Sequence, residues 1–191
     1  MVEFEADDAI ASAVKRFKKS KSVEQFVICS PDKDLAQLVS GNAIVCWDRR
    51  RDIVIDEAGV VEKYGVRPSS IPDWLALVGD SADGFPGVKG WGAKSASVVL
   101  AHYEHLESIP EDPLEWQVSS ISPGRAASLA ASLAANRQDA LLFRRLATLR
   151  EDVPLDEKLS DLKWQGAYPR LKELCHELGD ERIPERVPHW R

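Results

Sequence analysis

Between Asp80 and Ala96 the chain reads DSADGFPGVKGWGAKSA, and no other stretch narrows the possible folds as far. Pro86, Gly87, Gly90 and Gly92 punctuate a tight turn, and Lys94 and Ser95 open the helix that follows, whose first amides suit a phosphate. Just ahead of the turn, Asp80 and Asp83 stand three apart where an apolar helical run, Ser70 to Val78, gives out. Both carboxylates can then face one site, and acidic groups gathered in this way hold a divalent metal. The stretch joins a metal-type cluster to a phosphate-type turn.

Upstream, EADDAIASAVKRFKKSK sets Ile10, Val14 and Phe17 at helical spacing, with acids in its first turn and lysines in its last, as the helix dipole favours. Asp7 and Asp8 there also read as ordinary capping acids. Gln25 to Ser30 predicts a short buried strand ended by Ser30-Pro31, and DKDLAQLVSG follows. Asp32 and Asp34 thus fall just past the strand's carboxyl end, where open α/β sheets collect ligands, and a short helix stops at Gly41. Ala43 to Ile55 predicts a hairpin whose turn holds Arg49, Arg50 and Arg51, either solvated or meeting phosphate.

From there on the pattern is helical. Asp56 caps a helix to Tyr64 that Gly65 ends, Ala93 to Tyr103 forms another, and Pro123 to Ala135 pairs with Gln138 to Leu149. The last of these carries Leu141, Leu142, Leu146 and Leu149 on a broad apolar face. A connector, Glu151 to Lys163, leads to a helix over Tyr168 to Leu178, closed by Gly179, and to an extended Pro- and Arg-rich tail. Strands occur only before about residue 56, and three strands make a thin sheet. The chain is therefore expected to begin partway through a larger sheet, whose open edge could pair with another copy.

A net charge of −6 over 191 residues argues against coating nucleic acid through bulk positive charge, so any DNA contact must be local. Cys29, Cys46 and Cys175 lie far apart without zinc-type spacing and predict buried free thiols. The polar opening and the lack of an apolar run near 18 residues argue against a signal peptide or membrane span and point to the cytoplasm.

Three acidic groups, Glu5/Asp7/Asp8, Asp32/Asp34 and Asp80/Asp83, each fall where a strand or helix begins or ends. Carboxylates gathered in one site repel and raise one another's pKa unless cations lie between them. Two Mg²⁺ or Mn²⁺ ions roughly 4 Å apart would satisfy them, one activating water and the other stabilising the leaving oxygen of a phosphodiester. An all-oxygen donor set suits these ions better than Zn²⁺.

EADD at Glu5 to Asp8, SPDKDL at Ser30 to Leu35, and GDSAD with FPGVKGWGAKSA at Gly79 to Ala96 resemble the 5′–3′ exonuclease and flap endonuclease family, including the 5′-nuclease domain of bacterial DNA polymerase I. The resemblance implies an α/β fold: the C-terminal part of a PIN-like parallel-sheet nuclease domain over residues 1–79. An all-α helix-hairpin-helix (H3TH) DNA-binding domain over 80–191 would follow it. It implies that Glu5 and Asp7 help bind a first metal, with Asp8 auxiliary, that Asp32, Asp34 and Asp80 bind a second and serve catalysis, and that Asp83 acts nearby. It implies too that Gly87, Lys89, Gly90, Gly92, Lys94 and Ser95 grip the phosphates of duplex DNA carrying a 5′ end or flap, with a K⁺ ion at the hairpin, in replication and repair.

Two departures stand inside the motifs. Gly84 replaces a residue with a side-chain oxygen, and Trp91 takes a place usually held by Ile, where it would pack beneath the hairpin or else stack against a sugar or base. In the family, further Asp ligands and a basic arch precede the EADD motif, so Met1 would begin a C-terminal portion lacking about a hundred residues. Two functions compete: a metal-dependent nuclease, and a non-catalytic, structure-specific DNA-binding module. Oligomeric state is not legible.

Overall fold

The computed structural model describes residues 3–191, so Met1 lies outside it, and the chain divides into two compact units, Met1–Leu155 and Asp156–Arg191. In the first unit, helix α1 (Ala6–Phe17) opens with a capping box in which Asp8 accepts from the Glu5 amide at 3.1 Å. Three strands follow, β1 (Phe26–Ile28), β2 (Ile44–Asp48) and β3 (Ile53–Ile55), in the order β1-β2-β3. β1 runs parallel to β2, with Val27 opposite Val45, and β2 turns back antiparallel to β3 as the predicted hairpin.

β1 is not the fully buried strand expected. Ile28 faces the core, but β1 is an edge strand, and Val27 on its other face is 45% exposed. The same edge position exposes Cys29, contrary to expectation, whereas Cys46 and Cys175 are buried; all three are free thiols.

Helix α2 (Glu57–Tyr64) is capped by Asp56, which accepts from Gly59 N at 2.8 Å, and ends at Gly65 in the left-handed region. Helix α3 (Ile71–Val78) is the axis of the unit: Ile71 through Leu77 are all buried. It packs against α4 (Ala93–Tyr103), α6 (Arg137–Ala147) and the 3-10 turn Asp34–Leu38, while α5 (Pro123–Ala135) leads into α6. Even Asp73 on α3 is buried, with its carboxylate accepting from Leu106 N (3.2 Å) and lying 2.9 Å from His105 Nδ1 and 3.2 Å from Arg144 Nη1. A buried charge persists only when paired in this way.

α6 does not bury the leucine face its sequence suggests. Ala140, Phe143 and Ala147 turn inward, and Leu142 and Leu146 are 51% and 61% exposed. Two small residues about two turns apart, Ala140 and Ala147, let α6 approach α3 closely, and Arg144 on the same side reaches Asp73. Side-chain size and one buried ion pair decide the rotation of this helix.

In the second unit, α7 (Arg170–Glu177) is closed by Gly179 at φ +70°. The tail expected to be extended makes a helical turn, α8 (Arg182–Glu185), then bridges Ala167 through Ala167 N to His189 O and Arg191 N to Ala167 O, both 2.9 Å. Gly166 permits the return, because a Cβ there would meet backbone at 2.9 Å. Among the described residues no helix is long and apolar enough to cross a membrane.

Candidate functional site

Two backbone devices bring the acids together. After β1, Ser30 Oγ accepts from Asp32 N (3.2 Å) and Asp32 Oδ1 from Asp34 N (3.1 Å), a pair of side-chain turns that fixes the DKD segment. Gln37 holds it from behind, donating to Asp34 O (2.7 Å) and Ala147 O (2.9 Å) and accepting from Leu149 N (3.1 Å). At the end of α3, Gly79 takes φ +87°, and Asp80 and Phe85 exchange backbone hydrogen bonds of 3.0 and 3.1 Å that close the loop carrying Asp83. Phe85 stacks on Phe143 of α6 at 5.6 Å, anchoring that loop.

Asp34, Asp80 and Asp83 converge, each offering a carboxylate oxygen within 4.8 Å of the others. Asp34 Oδ1 is buried without a hydrogen-bond partner among the described residues. Burial first, then the charges of Asp32, Asp83, Asp80 and Asp7, push the Asp34 carboxyl up to about 7. Asp80 is also buried, and burial works to raise it. The Lys33 ammonium, 2.5 Å from Oδ2, and the Ala82 amide, 3.0 Å from Oδ1, outweigh that and hold it below the usual carboxylate range. Asp83, at the exposed mouth, is raised by partial burial and by Asp80 and Asp32.

Asp7 and Asp32 form a second pair: partial burial, the Asp32 charge and contact with the Asp32 carboxylate, and the charge of Glu5 raise Asp7. Glu5 and Asp8 are occupied otherwise. They make the α1 capping box, and Asp8 Oδ1 accepts from Arg150 N at 2.8 Å. The sequence-derived set therefore divides into Asp34/Asp80/Asp83, the adjoining Asp7/Asp32, and the cap Glu5/Asp8. An orphaned buried carboxylate oxygen within a three-carboxylate cluster fits a hard divalent cation. Among the described residues, Lys33 is the cation bound to the cluster.

The glycine-rich hairpin springs directly from this cluster. Gly79 and Gly87 sit back to back: a Cβ on Gly87 would lie 2.4 Å from Gly79 N, and one on Gly79 2.5 Å from the Pro86 carbonyl carbon. Val88 N donates to Leu77 O (2.9 Å), sewing the turn to α3. Gly90, at φ +85°, and Gly92 face open space, and Lys89 and Lys94 are exposed beside them, with Ser95 half-buried. Trp91 packs beneath, as expected, donating through Nε1 to Leu129 O at 3.2 Å.

Sequence reasoning passed over the residues that brace these parts. Arg125 on α5 donates to Gly90 O (2.7 Å) and Ser95 Oγ (3.3 Å), and Ser132 donates to Lys89 O (2.5 Å). Their only sequence signal was a basic and a hydroxyl position on α5, which no local pattern marks. Lys33 lay in plain view between two ligand candidates.

Residues 1–65 match the family model described as 5′-3′ exonuclease, N-terminal resolvase-like domain, and residues 66–170 match 5′-3′ exonuclease, C-terminal SAM fold. DNA polymerase I of Caldicellulosiruptor bescii is 38% identical over 190 residues, covering 96% of this chain and 21% of that protein. The 5′-3′ exonuclease of Aquifex aeolicus is 37% identical over 185 residues, 96% of this chain and 59% of the relative. That of Buchnera aphidicola subsp. Acyrthosiphon pisum is 35% identical over 158 residues, 83% and 54%. The chain thus spans somewhat over half the length of these curated exonucleases.

Among solved structures, a bacteriophage T5 flap endonuclease in a pseudo-enzyme-product complex with DNA and metal ions aligns with a TM-score of 0.60 at 18% identity, over 75% of this chain and 49% of that one. A T5 5′-exonuclease with bound zinc aligns at 0.57 and 21% identity, over 73% and 49%. These likenesses carry the fold, a resolvase-like nuclease layer followed by a SAM-like helical part. With both family models matched in order along the chain, it belongs to the 5′-3′ exonuclease family.

Proposed function

We propose that this chain hydrolyses DNA phosphodiester bonds from a 5′ end or at a flap, in replication and repair in the cytoplasm, as the metal-binding and duplex-gripping part of a 5′-3′ exonuclease. The observation that carries the reading is the convergence of Asp34, Asp80 and Asp83 around an unpartnered buried oxygen. Residues 1–79 would form the partial nuclease domain and 80–191 the helical DNA-binding domain.

Asp34, Asp80 and Asp83 would hold one Mg²⁺ or Mn²⁺, and Asp7 with Asp32 would contribute to a second; Glu5 and Asp8 support Asp7 by capping its helix. Such ions supply Lewis acidity toward the phosphodiester and an activated water. The chain's own part is to fix the carboxylates and to seat the duplex. Lys94 and Ser95 at the start of α4, with the open amides near Gly90 and Gly92 and with Lys89, offer a phosphate grip that reads shape and charge and no base sequence. Gly84 offers no side-chain oxygen, and Lys89 O and Gly90 O already accept from Ser132 and Arg125, so a K⁺ at the hairpin would compete with those donors.

The second reading, a structure-specific DNA-binding module without turnover, draws on the Lys33 ammonium 2.5 Å from Asp80 Oδ2, which occupies an oxygen that a metal would need. Incubation with a 5′-labelled flap substrate and Mn²⁺ separates the two. Cleavage that disappears in Asp80→Asn supports hydrolysis, whereas duplex binding with no cleavage at high protein concentration supports the binding module. Duplex affinity in Lys94→Ala should fall severalfold, with a salt slope shallower by about 0.9, the loss of one phosphate contact. Unchanged affinity in that variant refutes the hairpin assignment.

A further inference from the structure

Beside Asp32 the surface opens into a cleft of about 520 Å³ that neither the carboxylate cluster nor the hairpin uses. It lies past the carboxyl ends of the parallel pair β1 and β2, with Cys29 to Asp32 on one wall and Trp47 to Arg51 on the other. Ligands of open α/β sheets gather at this end of the strands. Asp32 belongs to this wall and also accepts from Asp34 N at 3.1 Å, so the cleft adjoins the metal-type site directly.

Its chemistry is two-sided. The floor is apolar, set by Ala36, Cys46 and Tyr64, all buried. The rim carries Arg49, Arg50 and Arg51 from the β2–β3 turn and Lys63 from α2, against the two acids Asp32 and Asp48. Asp48 is already engaged, accepting from the Arg50 and Arg51 amides at 3.0 and 3.2 Å with Arg51 Nη1 3.8 Å away. The surplus of positive charge therefore faces outward, beside a site otherwise built of carboxylates. An anionic ligand with a flat apolar part fits such a cleft, and its volume falls within the 300 to 1,000 Å³, roughly, of small-ligand sites.

A nucleotide meets both requirements, with its base or sugar on the floor and its phosphate at the rim. Bases stacked and paired within a duplex cannot enter an apolar floor, whereas those of a single strand can. We propose that the cleft binds a nucleotide of a single-stranded segment continuous with the duplex at the hairpin, a reading that rests on DNA being the substrate proposed above. The turn arginines then act as a second phosphate contact, lining the same cleft as Asp32 and supplying positive charge beside a site built of carboxylates.

The test compares fluorescence anisotropy titrations, in EDTA and low salt, of a blunt duplex and of the same duplex bearing a single-stranded extension on either strand. Wild type should bind one extended duplex more tightly, by about tenfold. Arg50→Ala/Arg51→Ala/Lys63→Ala should lose that advantage and keep wild-type affinity for the blunt duplex, while Arg50→Lys/Arg51→Lys should retain most of it. An advantage that survives in the triple alanine variant, or its absence in wild type that still binds blunt duplex, overturns the cleft assignment and leaves the DNA reading standing. Wild type that binds neither DNA overturns both.

Discussion

Asp34→Asn should stabilise the metal-free protein, and the gain should depend on pH. The folded Asp34 carboxyl is pushed from its ordinary 3.8 up to about 7 by burial and by the acids around it. Between roughly pH 4 and 7 the folded chain holds a proton that the unfolded chain has released, so stability falls as pH rises through that window. Above the upper limit the whole difference is expressed: about three pH units at 1.36 kcal/mol each, or up to about 4 kcal/mol. Asparagine keeps the shape, removes the charge, and can donate to the neighbouring carboxylates. In EDTA at pH 8 the variant should melt higher than wild type by about 5–15 °C, taking 2–4 °C per kcal/mol for a chain of this size. At pH 4, where the wild-type Asp34 is already protonated in the folded state, the two melting temperatures should converge. Thermal scans followed by circular dichroism across pH 4 to 8 read this directly. A variant no more stable than wild type at pH 8, or a gap that does not change with pH, would refute the argument that Asp34 is a buried charge lacking a partner. Millimolar Mn²⁺ supplies that partner, and it should raise the wild-type melting temperature at pH 8 and raise that of Asp34→Asn much less.

Lys33→Met should lower stability in EDTA by about 1 kcal/mol, a figure reduced because the lysine is partly exposed, and should tighten Mn²⁺ binding measured by electron paramagnetic resonance, since a competing cation has left Asp80. Weaker Mn²⁺ binding in that variant would show that Lys33 assembles the site and does not compete for it. Gly87→Ala should be far more damaging than Gly90→Ala: both have positive φ, but only at Gly87 would a Cβ meet backbone, at 2.4 Å. Urea denaturation should give a loss of about 1 kcal/mol at Gly90 and several at Gly87, and equal losses would contradict the packing described.

Much of this was legible in the sequence because the evidence was local. Asp56 and Gly65 bracket α2, since caps and turn residues act within a few positions of themselves, and the ranges expected for α4 and α5 match the helices found. The pairing of DKD with GDSAD could be inferred from two element ends that must meet. What escaped depended on distant partners. The rotation of α6 was decided by Asp73, 71 residues away from Arg144, and by the depth to which Ala140 and Ala147 allow approach. The split of the acids into cluster, pair and cap was set by the Arg150 amide on Asp8, 142 residues away, and by Lys33 on Asp80, 47 residues away. Hydrophobic period records that a face is apolar, not which neighbour it will meet, and several apolar positions on α6 could have been chosen.

The contact between Gly79 and Gly87 has a mechanical consequence. Two main chains meet there with no side chain between them, so the joint between Asp80 and the hairpin has no rotamer to flip and nothing compressible to yield. The offset from the carboxylates to any phosphate seated at Lys94 is then set to backbone tolerance, a few tenths of an ångström in roughly the sense that close-packed interiors allow. On the proposed reading the joint would act as a fixed gauge, with the length of DNA between grip and carboxylates set by the peptide backbone, and a single methyl group added at Gly79 or Gly87 would disturb that length.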